Sequence, residues 1–179
     1  SAIDATAFLT ANQAVIDGAI YFWTHNTSLA PNQNQMQNTY ASSDYATFNL
    51  LGSVSTSSNP NNPSNLPNGY IASGQSFFVK SNANGNAIFN NKMRVVNNNR
   101  QFFRQAIAAN SNSDTNIEKN RIWINLTKGS NDFSQMLLGY CSQATNNEDW
   151  GYDAESFSNN SVTLYSILKQ KNLYTHPSI

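Results

Sequence analysis

Charge is scarce in this chain. Ten basic and ten acidic residues make up 11% of 179 positions and cancel to a formal net charge of zero, against roughly 25% charged residues in an average soluble protein. Lys92 and Arg94 are the nearest approach to a basic cluster. Nucleic acid requires several grouped Lys or Arg to displace counterions from phosphates, so that class of partner is excluded. Cys141 is the single cysteine, which rules out an internal disulfide. It follows Tyr140 in an apolar run and reads as a small buried hydrophobe. Histidine is limited to His25 and His176, too few for a His-rich metal motif. No apolar run approaches the roughly 20 residues that cross a bilayer, so membrane insertion is not expected. No secretory leader pattern opens the chain, which begins on Ser1 rather than Met and reads as a fragment or mature segment of a longer protein.

Polar uncharged residues take the place of the missing charge, with about 30 asparagines and many Ser and Thr. Aromatics at 12% give the apolar mass that a disordered chain lacks. A length of 179 residues suits one domain with a hydrophobic core. The expectation is a single folded domain over residues 1–179 with long Asn-rich loops.

Along the chain, Asp4 is placed to cap a short helix running to about Asn12. Ile20 to His25 and Thr47 to Leu50 have the aromatic and β-branched content of strands. Gly52 to Tyr70 carries three prolines and reads as a long exposed loop. Strand signals return at Gly69–Ile71 and at Gln75–Lys80, the latter with Phe77 and Val79 toward one face. Asn82 to Asn86 reads as a turn, after which Ala87–Phe89 leads into Met93–Val96. Residues 101–109 suit a brief helix or, under tertiary packing, an extended segment. Arg121 to Thr127 alternates, with Ile122, Ile124 and Leu126 expected on the core face and Trp123 opposite. Lys128 to Asn131 is a hairpin turn into a strand from Phe133 to Tyr140. Ser161 to Leu168 reads as the last strand. Many short strands divided by Asn, Gly and Pro turns predict an all-β fold, an antiparallel β-sandwich of jelly-roll type with one or two short helices.

The local exception to charge scarcity is Ala144 to Phe157, which holds four of the ten carboxylates. Crowded carboxylates repel unless they stay solvated or share a cation. Asn147, Asp149, Asp153 and Glu155, spaced about Gly151, imitate the start of a Ca²⁺ loop. An EF-hand needs Gly at its sixth position and Glu at its twelfth, and counting from Asn147 those are Tyr152 and Ser158. A Ca²⁺ site on Asn147, Asp149, Asp153 and Glu155 therefore competes with a plain solvated turn. Trp23, Trp123, Trp150 and Tyr152, with Tyr21 and Tyr45 behind them, are the aromatic platforms available to a sugar. Arg94 or Arg100 is expected to pair with a carboxylate.

No Gly-x-Ser-x-Gly elbow and no phosphate loop is present, and the acids fall in one loop rather than on two facing elements. An enzyme is not expected.

Several stretches together resemble a known module. They are Gly18-Ala-Ile-Tyr-Phe-Trp-Thr-His25, Tyr70-Ile-Ala-Ser-Gly-Gln-Ser-Phe-Phe-Val79, Phe89-Asn-Asn-Lys-Met-Arg94, Arg121-Ile-Trp-Ile-Asn-Leu126 and the Asn147-to-Phe157 segment. The likeness is to a β-rich module of large secreted proteins of Bacteroidota, lying shortly before the C-terminal tail that directs export by the type IX secretion system. The resemblance implies an extracellular or cell-surface location and a non-catalytic structural or adhesive role. It also implies contacts with neighbouring domains of the same long chain and with the export machinery. The alternative function is a carbohydrate-binding module, Ca²⁺-dependent in one version, with glycans as partners.

Overall fold

A computed structural model of the chain describes residues 1–24, 44–56, 66–99, 120–129, 132–142, 144–156, 162–168 and 173–174. The expected helix over 101–109, residues 57–65 of the Pro-rich loop, both histidines and Arg100 lie outside the described residues.

The chain starts with strand β1 (Ala2–Asp4) and then helix α1 (Ala5–Ala11). Asp4 ends the first and caps the second, because its carboxylate accepts from the Ala7 N–H at 2.9 Å. The helix stops at Asn12, whose side chain is buried and turned to other work. The amide of Asn12 donates to the Phe8 and Ile88 carbonyls at 2.8 and 2.9 Å, and its oxygen accepts from the Ile88 N–H at 2.6 Å. One buried residue thus ties the helix end to a segment 76 positions away.

The strands that follow are β2 (Ile20–Trp23), β3 (Tyr45–Phe48), β4 (Ser53–Val54), β5 (Tyr70–Ile71) and β6 (Phe77–Phe78). After a single 3-10 turn over Asn91–Met93 come β7 (Arg94–Val95), β8 (Asn120–Lys128), β9 (Asp132–Tyr140), β10 (Ser166–Ile167) and β11 (Leu173–Tyr174). All pairings among the described residues are antiparallel. Among the described residues they form a four-stranded sheet ordered β4-β3-β2-β6, a three-stranded sheet ordered β5-β1-β7, and the pairs β8-β9 and β10-β11. The all-β expectation holds, with α1 the one α-helix among the described residues.

Side-chain alternation decides where the core lies. Ile20 and Phe22 of β2 share a face with Phe48 of β3 and Phe77 of β6. Helix α1 lays Ala5, Phe8 and Leu9 against that face, joined by Ile16, Ile71 and Met93. Phe8 meets the Phe77 ring edge-on at 5.8 Å and stacks on Phe89 at 4.7 Å. Each fully buried aromatic or aliphatic side chain stabilises by about 1.5–3 kcal/mol relative to exposure. The core is therefore a helix seated on one face of the four-stranded sheet, while Tyr21 and Thr47, on the opposite face, are buried by other parts of the chain.

The β8-β9 ribbon departs from expectation. Ile122, Ile124 and Leu126 are not core-facing but 53%, 39% and 41% exposed. Their strand neighbours Arg121 and Trp123 face the body instead. The Arg121 guanidinium donates to the Leu51 carbonyl at 3.2 Å, and the Trp123 indole N–H donates to the Ser53 carbonyl at 3.0 Å. The body presents backbone carbonyls there, which need donors, and Ile or Leu has none to offer. Gly139, opposite Arg121 in register, leaves the gap that Leu51 fills: a Cβ at Gly139 would lie 2.9 Å from Leu51 Cδ2. Of the two arginines expected to offer a carboxylate partner, Arg94 donates to Ser1 Oγ at 3.2 Å, and Arg100 lies outside the described residues. Cys141 is half-buried against the small core of Leu51, Val54 and Leu137.

Candidate functional site

The acidic segment lies across the face of the four-stranded sheet opposite α1. Its local structure is set by its own side chains. Asp149 accepts from the Thr145 N–H at 2.6 Å and the Thr145 hydroxyl at 3.0 Å. Asp153 accepts from the Asp149 N–H at 2.7 Å, and the Asp153 N–H donates back to the Asp149 carbonyl at 3.0 Å. The Asn147 N–H donates to Thr145 Oγ1 at 3.1 Å. These bonds close two consecutive tight turns, with Gly151 at φ +77°.

The same segment is fastened at five points to the sheet and to the residues that border its strands. The Trp150 indole donates to the Ile16 carbonyl at 2.7 Å, and the Leu50 N–H donates to the Gly151 carbonyl at 2.7 Å. The Asn49 amide donates to the Tyr152 carbonyl at 2.6 Å, while its oxygen accepts from the N–H groups of Leu51 and Gly52. The Tyr21 hydroxyl donates to the Glu155 carbonyl at 3.3 Å. Lys80 and Glu155 form an ion pair. Gly18 passes so close beneath that a Cβ there would fall 2.7 Å from Gly151 Cα. The segment is a clasp laid over Ala19 and Tyr21, with its own Ala154 buried against them.

Asn147, Asp149, Asp153 and Glu155, the residues weighed for Ca²⁺, are each engaged with the protein itself. Asp149 and Asp153 hold their own turns and Glu155 faces Lys80. Among the described residues no group of three or more His, Cys, Asp or Glu is arranged to hold a metal ion.

The electrostatics centre on Asp17, beside the clasp. Burial pushes its carboxyl up to about 6, with the Ala19 N–H and the Lys80 ammonium opposing and the Glu155 and Glu148 charges assisting. Burial likewise carries the Tyr21 phenol well above its usual range, aided by Asp17 and Glu155. The hydrogen bond to Glu155 raises the Lys80 ammonium.

The four aromatic candidates separate. Trp150 and Tyr152 are half-buried parts of the clasp, packed on the main core and on the Leu51 cluster respectively. Trp123 is 42% exposed, but its N–H is engaged and the Arg121 guanidinium lies 5.3 Å over its ring. Trp23 has a different setting. It shares the outer face of the four-stranded sheet with Tyr45, its partner in register, and with Phe78, which stands opposite Tyr21. Phe78 is 58% exposed and meets the Tyr45 ring edge-on at 5.5 Å. Gln75 donates to the Trp23 carbonyl at 3.4 Å, placing an amide at the border of this shelf.

Phe78, Asp17 and Lys80 were missed by sequence reasoning. Phe78 was within reach of it: if Phe77 and Val79 face the core, the residue between them faces out. Lys80 meets Glu155 across 75 residues, and no local pattern signals that.

No curated protein and no solved structure matches the chain. One family model, described as Domain of unknown function (DUF8693), matches residues 1–176. The chain, matched over almost its whole length, belongs to that family.

Proposed function

We propose that this chain is a non-catalytic structural or adhesive module of secreted or cell-surface proteins exported by a type IX system, built as an antiparallel β-sandwich. The observation that carries the reading is the clasp. Its carboxylates and amides, the groups from which a catalytic or metal site would be made, bind the segment to its own turns and its own sheet. A polar network spent on holding a loop over a sheet supports a mechanical role in a long surface protein, whose neighbouring domains are the expected partners. The test is calorimetric titration of Ca²⁺ into the chelator-treated chain, with Asp149→Ala and Asp153→Ala alongside. No binding heat and no rise in melting temperature is expected. Saturable binding that both variants abolish would overturn the structural reading of the clasp. Export is tested separately by locating the parent protein in cells without a functional type IX system, where surface exposure should be lost.

The second reading is carbohydrate binding, and one observation favours it. Phe78, Tyr45 and Trp23 line one sheet face with Gln75 at its border, which offers ring faces and an amide to a sugar. Quenching of tryptophan fluorescence by soluble glycans, abolished in Phe78→Ala, supports it. An unchanged signal across a glycan panel removes it.

A further inference from the structure

The chain passes beneath the clasp at Ile16–Ala19, and Asp17 is the ionisable residue of that passage. On one side of it the Trp150 indole donates to the Ile16 carbonyl at 2.7 Å. On the other, Gly18 lies so close to Gly151 that a Cβ would not fit between them. The Asp17 N–H donates to the Lys80 carbonyl at 3.0 Å, and its carboxylate accepts from the Ala19 N–H at 3.2 Å. With both neighbours pinned, the carboxyl keeps its place while the clasp is down. The charged and titratable groups around it come from three elements. Lys80, just past β6, brings an ammonium that Glu155 of the clasp already holds in an ion pair. The clasp adds the negative charges of Glu148 and Glu155, and Tyr21 of β2 sets its phenol against the Glu155 carbonyl. Asp149 and Asp153 are turned into the clasp's own turns. An ionised Asp17 therefore competes with Glu155 for Lys80, and it does so where clasp and sheet meet.

We infer that Asp17 is a proton-operated latch for the clasp: its neutral form keeps residues 144–156 down on the sheet, and its ionised form favours their release. The inference takes the clasp as described and does not depend on how the protein is exported or on what it binds. Two considerations place the effect in the clasp rather than in the whole fold. The clasp is fastened by single hydrogen bonds and one ion pair, not by a strand ladder, so it opens at lower cost than the sheet beneath it. Lifting it also removes Glu155 and Glu148 and opens the Ile16–Ala19 passage to water. Linkage then sets the direction. Burial raises the Asp17 carboxyl from 3.8 to about 6, and release returns it toward its ordinary value. The stabilisation of the closed clasp is complete below about 3.8 and is lost as pH rises through about 6. From pH 5 to pH 8 the closing equilibrium is expected to weaken about three- to tenfold, the upper figure being that of a carboxyl fully screened from solvent.

The experiment is hydrogen exchange on the whole 179-residue chain, followed by NMR between about pH 5 and pH 8 and corrected for the intrinsic pH dependence of exchange. Two reporters span the contact, the Leu50 amide bonded to the Gly151 carbonyl and the Trp150 indole N–H bonded to the Ile16 carbonyl. The Thr24 amide, bonded to the Asp44 carbonyl at the end of the sheet, is the reference. Protection of both reporters relative to Thr24 is expected to fall about three- to tenfold across that range. Asp17→Asn should hold it at the acid level throughout. Glu155→Gln, which releases Lys80 to Asp17 and removes a neighbouring charge, should move the fall to lower pH. A constant ratio to Thr24 in the wild-type chain would overturn the proposal, whatever the variants do. So would a fall that persists in Asp17→Asn, or one that Glu155→Gln leaves at the wild-type midpoint, since either assigns the titration to another group.

Discussion

Replacing Asp17 with Asn should stabilise the protein, and only above the acid range. Asp17 sits under the edge of the clasp, its carboxylate accepting from the Ala19 N–H at 3.2 Å and its N–H bonded to the Lys80 carbonyl at 3.0 Å. Burial raises its carboxyl from 3.8 to about 6, against the pull of Lys80 and with the help of Glu155 and Glu148. A folded-state value above the unfolded one means that the native protein holds this proton more tightly. The stability linked to that proton is complete below about 3.8 and is lost as pH rises through about 6. Full ionisation over that interval corresponds to about 3 kcal/mol. Asp17 is only partly buried, so solvent screening reduces the figure to about 1–2 kcal/mol. Asn keeps the oxygen that accepts from Ala19 and removes the charge. Urea titrations followed by tryptophan fluorescence should therefore show Asp17→Asn more stable by about 1–2 kcal/mol at pH 8, shrinking to a few tenths at pH 4. A gain that does not change with pH, or a loss at pH 8, would refute the assignment of a desolvated carboxylate.

Other expectations concern the clasp and the helix end. Gly18→Ala, at φ +92° and pressed against Gly151, should cost about 3 kcal/mol or more in chemical denaturation. Gly129→Ala, at φ +64° with open space around it, should cost about 1 kcal/mol and serves as the conformational control. Asn12→Ala leaves the Ile88 N–H and two carbonyls without their side-chain partner, a loss of about 2–3 kcal/mol readable as a fall in melting temperature. Lys80→Met breaks an ion pair open to solvent and should cost less than about 1 kcal/mol. The same change should move the Asp17 midpoint upward in an NMR titration, because it removes the cation that opposes burial.

How much of this could be read beforehand depends on whether the controlling contact is local. The Asp4 cap bonds to a residue three positions on, so sequence spacing carries it, and the helix ends at Asn12 as expected. The hairpin of β8 and β9 was legible for the same reason, since its turn and both alternating strands are contiguous. The orientation of that hairpin was not. Alternation separates Ile122, Ile124 and Leu126 from Arg121 and Trp123 without saying which set meets the body. Hydrophobicity favours the first set, yet carbonyls at Leu51 and Ser53, some 70 residues away, select the donors of the second.

The acidic segment shows the same ambiguity in sharper form. Asp149 and Asp153 lie four residues apart, a spacing that serves equally for two ligands of one ion or for one residue closing the other's turn. What distinguishes them is the direction of the side chains. Here the Asp153 carboxylate turns onto the Asp149 N–H and the Asp149 carboxylate onto Thr145. Glu155 leaves the group for Lys80, and Asn49 reaches Tyr152 from 103 residues away. In a chain with so little charge, a local acidic cluster attracts a metal hypothesis because charge repulsion demands an explanation. Backbone N–H groups and one lysine answer that demand as well as a cation does, and they leave no trace in the spacing of the acids themselves.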